Sequence, residues 1–163
     1  MARVLIGLGS NIEPRRDYLK LAVAELSQAP CEILVLSPVY ETEAMDVKDQ
    51  ASFLNMAALL ETNLEPLSLL EHLQAIEVRA HKQVLIRRGP RTLDLDLWSH
   101  GDTIMDTETL VLPHPRIPER PFVLVPLMDV APQWRHPLNG LTARQMLEAL
   151  PKPWPVVKLL GNL

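Results

Sequence analysis

Cysteine occurs once in this chain, at Cys31. One thiol closes no internal disulfide and builds no cysteine-rich zinc site, so the chain suits a reducing compartment. Cys31 reads as an ordinary small residue of the core or the surface. Aromatic residues are scarce: two Phe, two Tyr and three Trp among 163 residues. No apolar run reaches the roughly 18 residues a membrane span needs. The apolar start "MARVLIGLG" is short for a secretory signal and leads straight into polar "SNIEPRRD". A cytoplasmic protein is therefore expected. There is no basic excess either: 16 Lys and Arg against 20 Asp and Glu give a net charge of -4. That argues against non-specific nucleic-acid binding, though a local basic pocket stays open. The nucleotide-loop pattern G-x-x-x-x-G-K-[ST] does not occur, nor do G-x-G-x-x-G, H-E-x-x-H or G-x-S-x-G.

Apolar residues make up 47% of the chain, enough for a core, and the length suits one domain over residues 1–163. "RVLIGLGSN" (3–11) reads as a buried strand closing on a Gly-Ser-Asn turn, its glycines serving a turn or close backbone packing. Leu19, Ala22, Val23 and Leu26 predict a helix over about 14–28, with Pro14 suited to its first turn. "EILVLSPVYET" (32–42) is an extended segment interrupted at Pro38, and 43–52 reads as a loop. "FLNMAALLET" (53–62) reads as a central strand, although its alanines blur the period. A second helix opens at Glu65-Pro66, with Leu69, Leu70, Leu73 and Ile76 on its apolar side, and ends near Ala80 to Lys82. A basic loop leads to the strand "TLDLDLWS" (92–99).

The order strand, helix, extended pair, helix, strand predicts an α+β, ferredoxin-like βαββαβ core: an antiparallel sheet with helices on one face. The other face is left for a ligand or for the C-terminal segment. Ten of the 15 prolines fall between Pro113 and Pro155. That proline-rich extension reads as loops and short helices, such as 122–130 and 142–150, without a core of its own.

Asp94 and Asp96 pose the chemical question. In a strand, residues i and i+2 project to one side, roughly 6.5–7 Å apart at the Cα. Leu93, Leu95 and Leu97 then point the opposite way, into a core. Two carboxylates this close repel unless a cation sits between them. Their hard oxygens suit Mg²⁺, which takes one or two carboxylates and completes its shell with substrate phosphates. Cations bracket the pair: Arg79, Lys82, Arg87, Arg88 and Arg91 before it, His114, Arg116 and Arg120 after it. Such a grouping fits phosphoryl or pyrophosphoryl transfer, where positioning and charge neutralisation do most of the catalysis. A solvated mixed-charge face is the alternative reading of the same residues.

"GPRTLDLDL" (89–97) resembles the signature of the 6-hydroxymethyl-7,8-dihydropterin pyrophosphokinase family. "IGLGSNI" (6–12), "FLNMAALLET" (53–62), "HLQAIE" (72–77) and "LPHPRIPERPFVLVPL" (112–127) resemble further family segments in the same order. The resemblance implies a ferredoxin-like fold and transfer of pyrophosphate from ATP to the pterin's hydroxymethyl oxygen, with release of AMP. It implies two Mg²⁺ ions held by Asp94 and Asp96, with Arg91 on phosphate as a third catalytic residue. Gln74, Glu77, His114 and Arg120 match ATP-side positions, and Lys82 or Arg87 stands in for a loop arginine. Asn55 and Thr42 match pterin-side positions, where Asp94 also faces the acceptor, and Phe53 and Phe122 match the rings that sandwich the pterin. A monomer is expected. Tyr40, Trp98 and Trp134 read as packing residues.

The chain departs from the family pattern at three loops. Arg88 stands where members usually carry a tryptophan that packs over the pterin. "AHKQVLIRR" (80–88) lacks the glycine of a usual arginine-rich stretch, and "EAMDVKDQ" (43–50) is acidic, without Pro or Gly. Thr109 replaces an arginine that some members place near ATP. These departures leave two further readings beside the pyrophosphokinase: a paralogue with an altered acceptor, and a nucleotide- or pterin-binding module with little turnover.

Overall fold

The structure is a computed structural model, and it describes residues 1–42, 52–81, 92–155 and 157–163. The chain runs β1 (Ala2–Ser10), α1 (Arg15–Leu26), β2 (Cys31–Leu36), β3 (Val39–Thr42), β4 (Phe53–Thr62), α2 (Pro66–His81) and β5 (Asp94–His100). A small hairpin of β6 (Met105–Asp106) and β7 (Val111–Leu112) follows, then α3 (Pro121–Val130), α4 (Ala143–Glu148) and β8 (Val157–Gly161).

The main sheet is antiparallel, in the order β5-β1-β4-β3-β8. β2 shares the outer side of β4 with β3: Cys31–Leu36 pairs the second half of β4, and Tyr40–Thr42 pairs its beginning. The break between them falls at Ser37-Pro38, since proline supplies no N–H for a ladder. The βαββαβ order is as the sequence predicts, and Cys31 is a buried core residue.

α1 and α2 cover one face. Val4, Ile6 and Leu8 of β1, Leu54, Met56, Ala58 and Leu60 of β4, and Leu93, Leu95 and Leu97 beside and along β5 form that side of the core. Leu19, Ala22 and Leu26 of α1 and Leu69, Leu73, Ile76 and Ala80 of α2 pack on them, all fully buried. Each large side chain so buried contributes about 1.5–3 kcal/mol. The helical spacing of these stripes is what the sequence pattern relied on.

The opposite face is shared. Leu5, Ala57 and Trp98 pack under Val123, Leu124, Leu127 and Val130 of α3 and Ala143, Met146 and Leu147 of α4. The proline-rich extension thus lays its helices over one half of this face, and Thr142 caps α4 reciprocally with Gln145. The tail adds β8 to the outer edge, with Tyr40 opposite Leu159 and Thr42 opposite Val157. Gly7 and Gly9 lie within β1 rather than in a turn, because the strand continues to Ser10 and pairs with β4 throughout.

Candidate active site

The half of that second face that α3 and α4 leave free carries the candidate site residues. Gly9 lies opposite Asp94 on one side and opposite Asn55 on the other, and Asn55 lies opposite Tyr40. One row across the sheet therefore reads Asp94, Gly9, Asn55, Tyr40. The next row reads Asp96, Gly7, Ala57. Asp94 and Asp96 are half-buried, while Leu95 and Leu97 between and beyond them are buried on the helical side. The alternation of "LDLDL" thus divides between core and site as its period requires.

Glycine leaves this row without a side chain between the carboxylates and the amide. A Cβ at Gly9 would stand 3.3 Å from Asn55 Oδ1. At Gly7 the space is already taken: a Cβ there would stand 2.3 Å from the Trp98 ring. Trp98, an extra residue where β5 bulges against β1, closes the site off from the α3 core.

Asn55 Nδ2 donates to Thr42 Oγ1 at 2.7 Å, and Thr42 lies opposite Phe53. Thr42 is buried and Phe53 half-buried. At the end of β1, Asn11 is 1% exposed, and neither its Nδ2 nor its Oδ1 has a hydrogen-bond partner. A buried amide left so costs about 1–3 kcal/mol. Tyr40 does more than pack: its hydroxyl donates to Asp129 Oδ2 at 2.5 Å, tying the sheet to α3. Burial, with the Asp129 bond and charge behind it, pushes that hydroxyl up to about 12.

The histidine-arginine segment reaches the carboxylates from the other side. His114 N–H donates to the Trp98 carbonyl at 2.8 Å, which anchors the segment beside β5. Burial lowers the His114 pKa first, the Arg120 and Arg116 charges lower it further, and the Asp94 charge acts the opposite way. The ring is therefore neutral near pH 7. Its Nδ1 accepts from Arg116 N–H at 3.1 Å, so its proton is on Nε2. Arg120 lies 5.5 Å from the centre of the Phe122 ring, which opens α3.

On α2, Glu77 Oε2 accepts from Leu95 N–H at 2.9 Å, satisfying a donor on the open edge of β5 between the two aspartates. Gln74 lies almost one turn earlier and is exposed. The structure thus gathers Asp94, Asp96, His114 and Arg120 with Asn55, Thr42, Phe53 and Phe122 along one end of the sheet face, and sets Glu77 at its edge. Lys82, Arg87, Arg88, Arg91 and the 43–50 loop lie outside the described residues. Thr109, in the turn after the β6 strand, is exposed. Sequence reasoning missed the gap that Gly9 leaves between Asp94 and Asn55, the unpartnered Asn11 amide and the Tyr40–Asp129 tie. The first had a signal in the strand alternation, which sets Leu5, Gly7 and Gly9 on one side of β1.

Against known proteins, the pattern of the 7,8-dihydro-6-hydroxymethylpterin-pyrophosphokinase family matches residues 5–132. The chain belongs to this family. A 2-amino-4-hydroxy-6-hydroxymethyldihydropteridine pyrophosphokinase of Bacillus subtilis is 46% identical over 129 residues, covering 78% of this chain and 77% of the relative. The Pseudomonas aeruginosa protein of the same name is 39% identical, covering 91% and 92%. The folic acid synthesis protein fol1 of Pneumocystis carinii is 38% identical over 90% of this chain, which spans 20% of that longer protein. Among solved structures, a Plasmodium falciparum HPPK-DHPS triple mutant with STZ-DHP matches 90% of this chain and 43% of its own, with a TM-score of 0.71 at 16% identity. That likeness carries the fold. As a pyrophosphokinase of folate biosynthesis, the chain transfers pyrophosphate to hydroxymethyldihydropterin. No helix among the described residues is long and apolar enough to cross a membrane.

Proposed function

We propose that the pterin lies over Gly9, between the carboxylate pair and the Asn55–Thr42 pair, with Phe53 and Phe122 as its walls. The backbone at Gly9, buried but free of any side chain of its own between Asp94 and Asn55, carries this reading. A flat ring needs a surface without side chains, hydrogen-bonding groups at one edge and its reacting oxygen directed at the phosphate side. Asn55, Thr42 and the unpartnered Asn11 amide offer donors and acceptors at the edge. Asp94 and Asp96 stand across the floor.

The phosphates lie on the Asp94 and Asp96 side. Neutral His114 offers an Nε2–H donor, Arg120 adds a fixed charge, and Arg91 and Lys82 or Arg87 are the expected further cations from the basic loop. Glu77 and Gln74 mark the nucleotide's side of the β5 edge. Among the described residues no cluster of three His, Cys, Asp or Glu side chains could hold a metal. A cation here would rest on two carboxylates and on substrate phosphates, which is a donor set Mg²⁺ accepts. We infer two Mg²⁺ ions, held by Asp94 and Asp96. When bound, Mg²⁺ neutralises phosphate charge and lowers the cost of approach by a nucleophile. The pterin hydroxymethyl oxygen forms a bond to the β-phosphorus of ATP, and the bond from that phosphorus to the AMP oxygen breaks. The hydroxyl proton leaves to solvent or phosphate. ATP and the pterin are the substrates, and the working unit is a monomer in the cytoplasm.

Gly9→Val tests the floor. The reading expects the pterin KM to rise by tenfold or more, about the effect of losing well-packed contact, with ATP binding retained. An unchanged pterin KM in a folded variant would move the acceptor elsewhere.

A further inference from the structure

The same sheet face carries a second cleft at its far end. Four residues along β1 from Gly9, about 13 Å at strand rise, Leu5 lies opposite Ser99 on one side and Leu59 on the other. This row floors a cleft of about 400 Å³, within the size of small-ligand pockets. Val130, Ala131 and Pro132, at the end of α3, form its apolar wall with Trp134. Trp98 over Gly7 stands between this cleft and the active site.

Three donors around it lack partners. Ser99 is 2% exposed, and among the described residues its hydroxyl makes no hydrogen bond. The Trp134 indole N–H is buried and also unpartnered. Arg3 lines the cleft, exposed, and makes no ion pair among the described residues. Buried donors are normally satisfied, so the unpartnered indole N–H, beside an open cleft that also presents the Ser99 hydroxyl and a guanidinium, marks a place for an acceptor. Asp102, exposed on the rim, repels a second negative charge.

We propose that this cleft is a second small-molecule site, separate from the catalytic one, for a flat apolar monocarboxylic acid. Its ring lies on Leu5 and Leu59, and its carboxylate takes Arg3, Ser99 and the Trp134 N–H. Dianions such as phosphate esters are disfavoured by Asp102.

The test titrates ¹⁵N-labelled protein with sodium 1-naphthoate and reads the Trp134 indole N–H, assigned through Trp134→Phe. A saturable shift is expected, unchanged by saturating ATP and Mg²⁺. Arg3→Gln and Ser99→Ala, each checked for an unaltered melting temperature, should weaken binding by about tenfold, as loss of a charge-assisted hydrogen bond does. The neutral 1-naphthamide should bind correspondingly less well. A Trp134 signal that does not move would overturn the proposal. So would equal affinity in both variants, equal affinity for the amide, or displacement by ATP.

Discussion

On its helical side β1 contributes Val4, Ile6 and Leu8, all buried under α1 and α2. On its other side the same strand contributes Leu5, Gly7 and Gly9. Leu5 is core, Gly7 is covered by Trp98, and Gly9 meets only Asn55 and the Leu54 carbonyl where a Cβ would stand. β5 repeats the contrast, with Leu95 and Leu97 on one face and Asp94 and Asp96 on the other. The helical face thus holds the fold together, and the other grades from core to site as side chains shrink and then become charged. Stability and chemistry are separated by strand parity, so mutations on the two faces should fail in different ways.

The largest effect is expected at Asp96. Asp96→Ala should lower turnover by at least about 10²-fold, the scale of losing one electrostatic stabiliser. Its melting temperature should stay near that of the parent. Leu73→Ala, under the opposite face, should do the reverse. Denaturant unfolding should show a loss of about 2–5 kcal/mol, while activity per folded molecule holds. Gly7→Ala tests the boundary between core and site, because its Cβ would stand 2.3 Å from the Trp98 ring. A cost of about 1–3 kcal/mol is expected. Trp98→Leu in the same chain should recover part of it, giving a non-additive double-mutant cycle.

The smallest effect is at Tyr40. Tyr40→Phe should cost roughly 1 kcal/mol, since Asp129 is exposed and can turn to water. The pH dependence is more diagnostic. Unfolded tyrosine ionises near pH ~10, whereas Tyr40 is pushed up to about 12. The folded chain keeps a proton that the unfolded chain gives up. This stabilisation is complete below about pH 10 and is lost as pH rises through about 12. Over that window the parent should lose more stability than Tyr40→Phe, measured by denaturant midpoints. Parallel curves would break the assignment.

The sequence shows the helical face best. Leu69, Leu73 and Ile76 at helical spacing and "LDLDL" at strand spacing are local patterns, and both fold as their periods require. The carboxylate pair is legible for the same reason. What depends on distant pairing is not. Nothing near Tyr40 indicates that Leu159 will lie beside it or that Asp129 will meet its hydroxyl. Nothing in "HLQAIE" shows that Glu77 will satisfy Leu95 N–H. Gly7 and Gly9 look like turn residues until β4 and β5 are placed on either side, after which Gly7 receives the Trp98 ring and Gly9 lies between Asp94 and Asn55.

As proposed, the half of this face beside Asp94 and Asn55 joins a metal-dependent phosphate side to a pterin side. AMP release from ATP and Mg²⁺, with and without 6-hydroxymethyl-7,8-dihydropterin, tests it most directly. AMP that depends on the pterin and disappears in Asp96→Ala is expected. No AMP from folded protein, or AMP formed equally without the pterin, would contradict it.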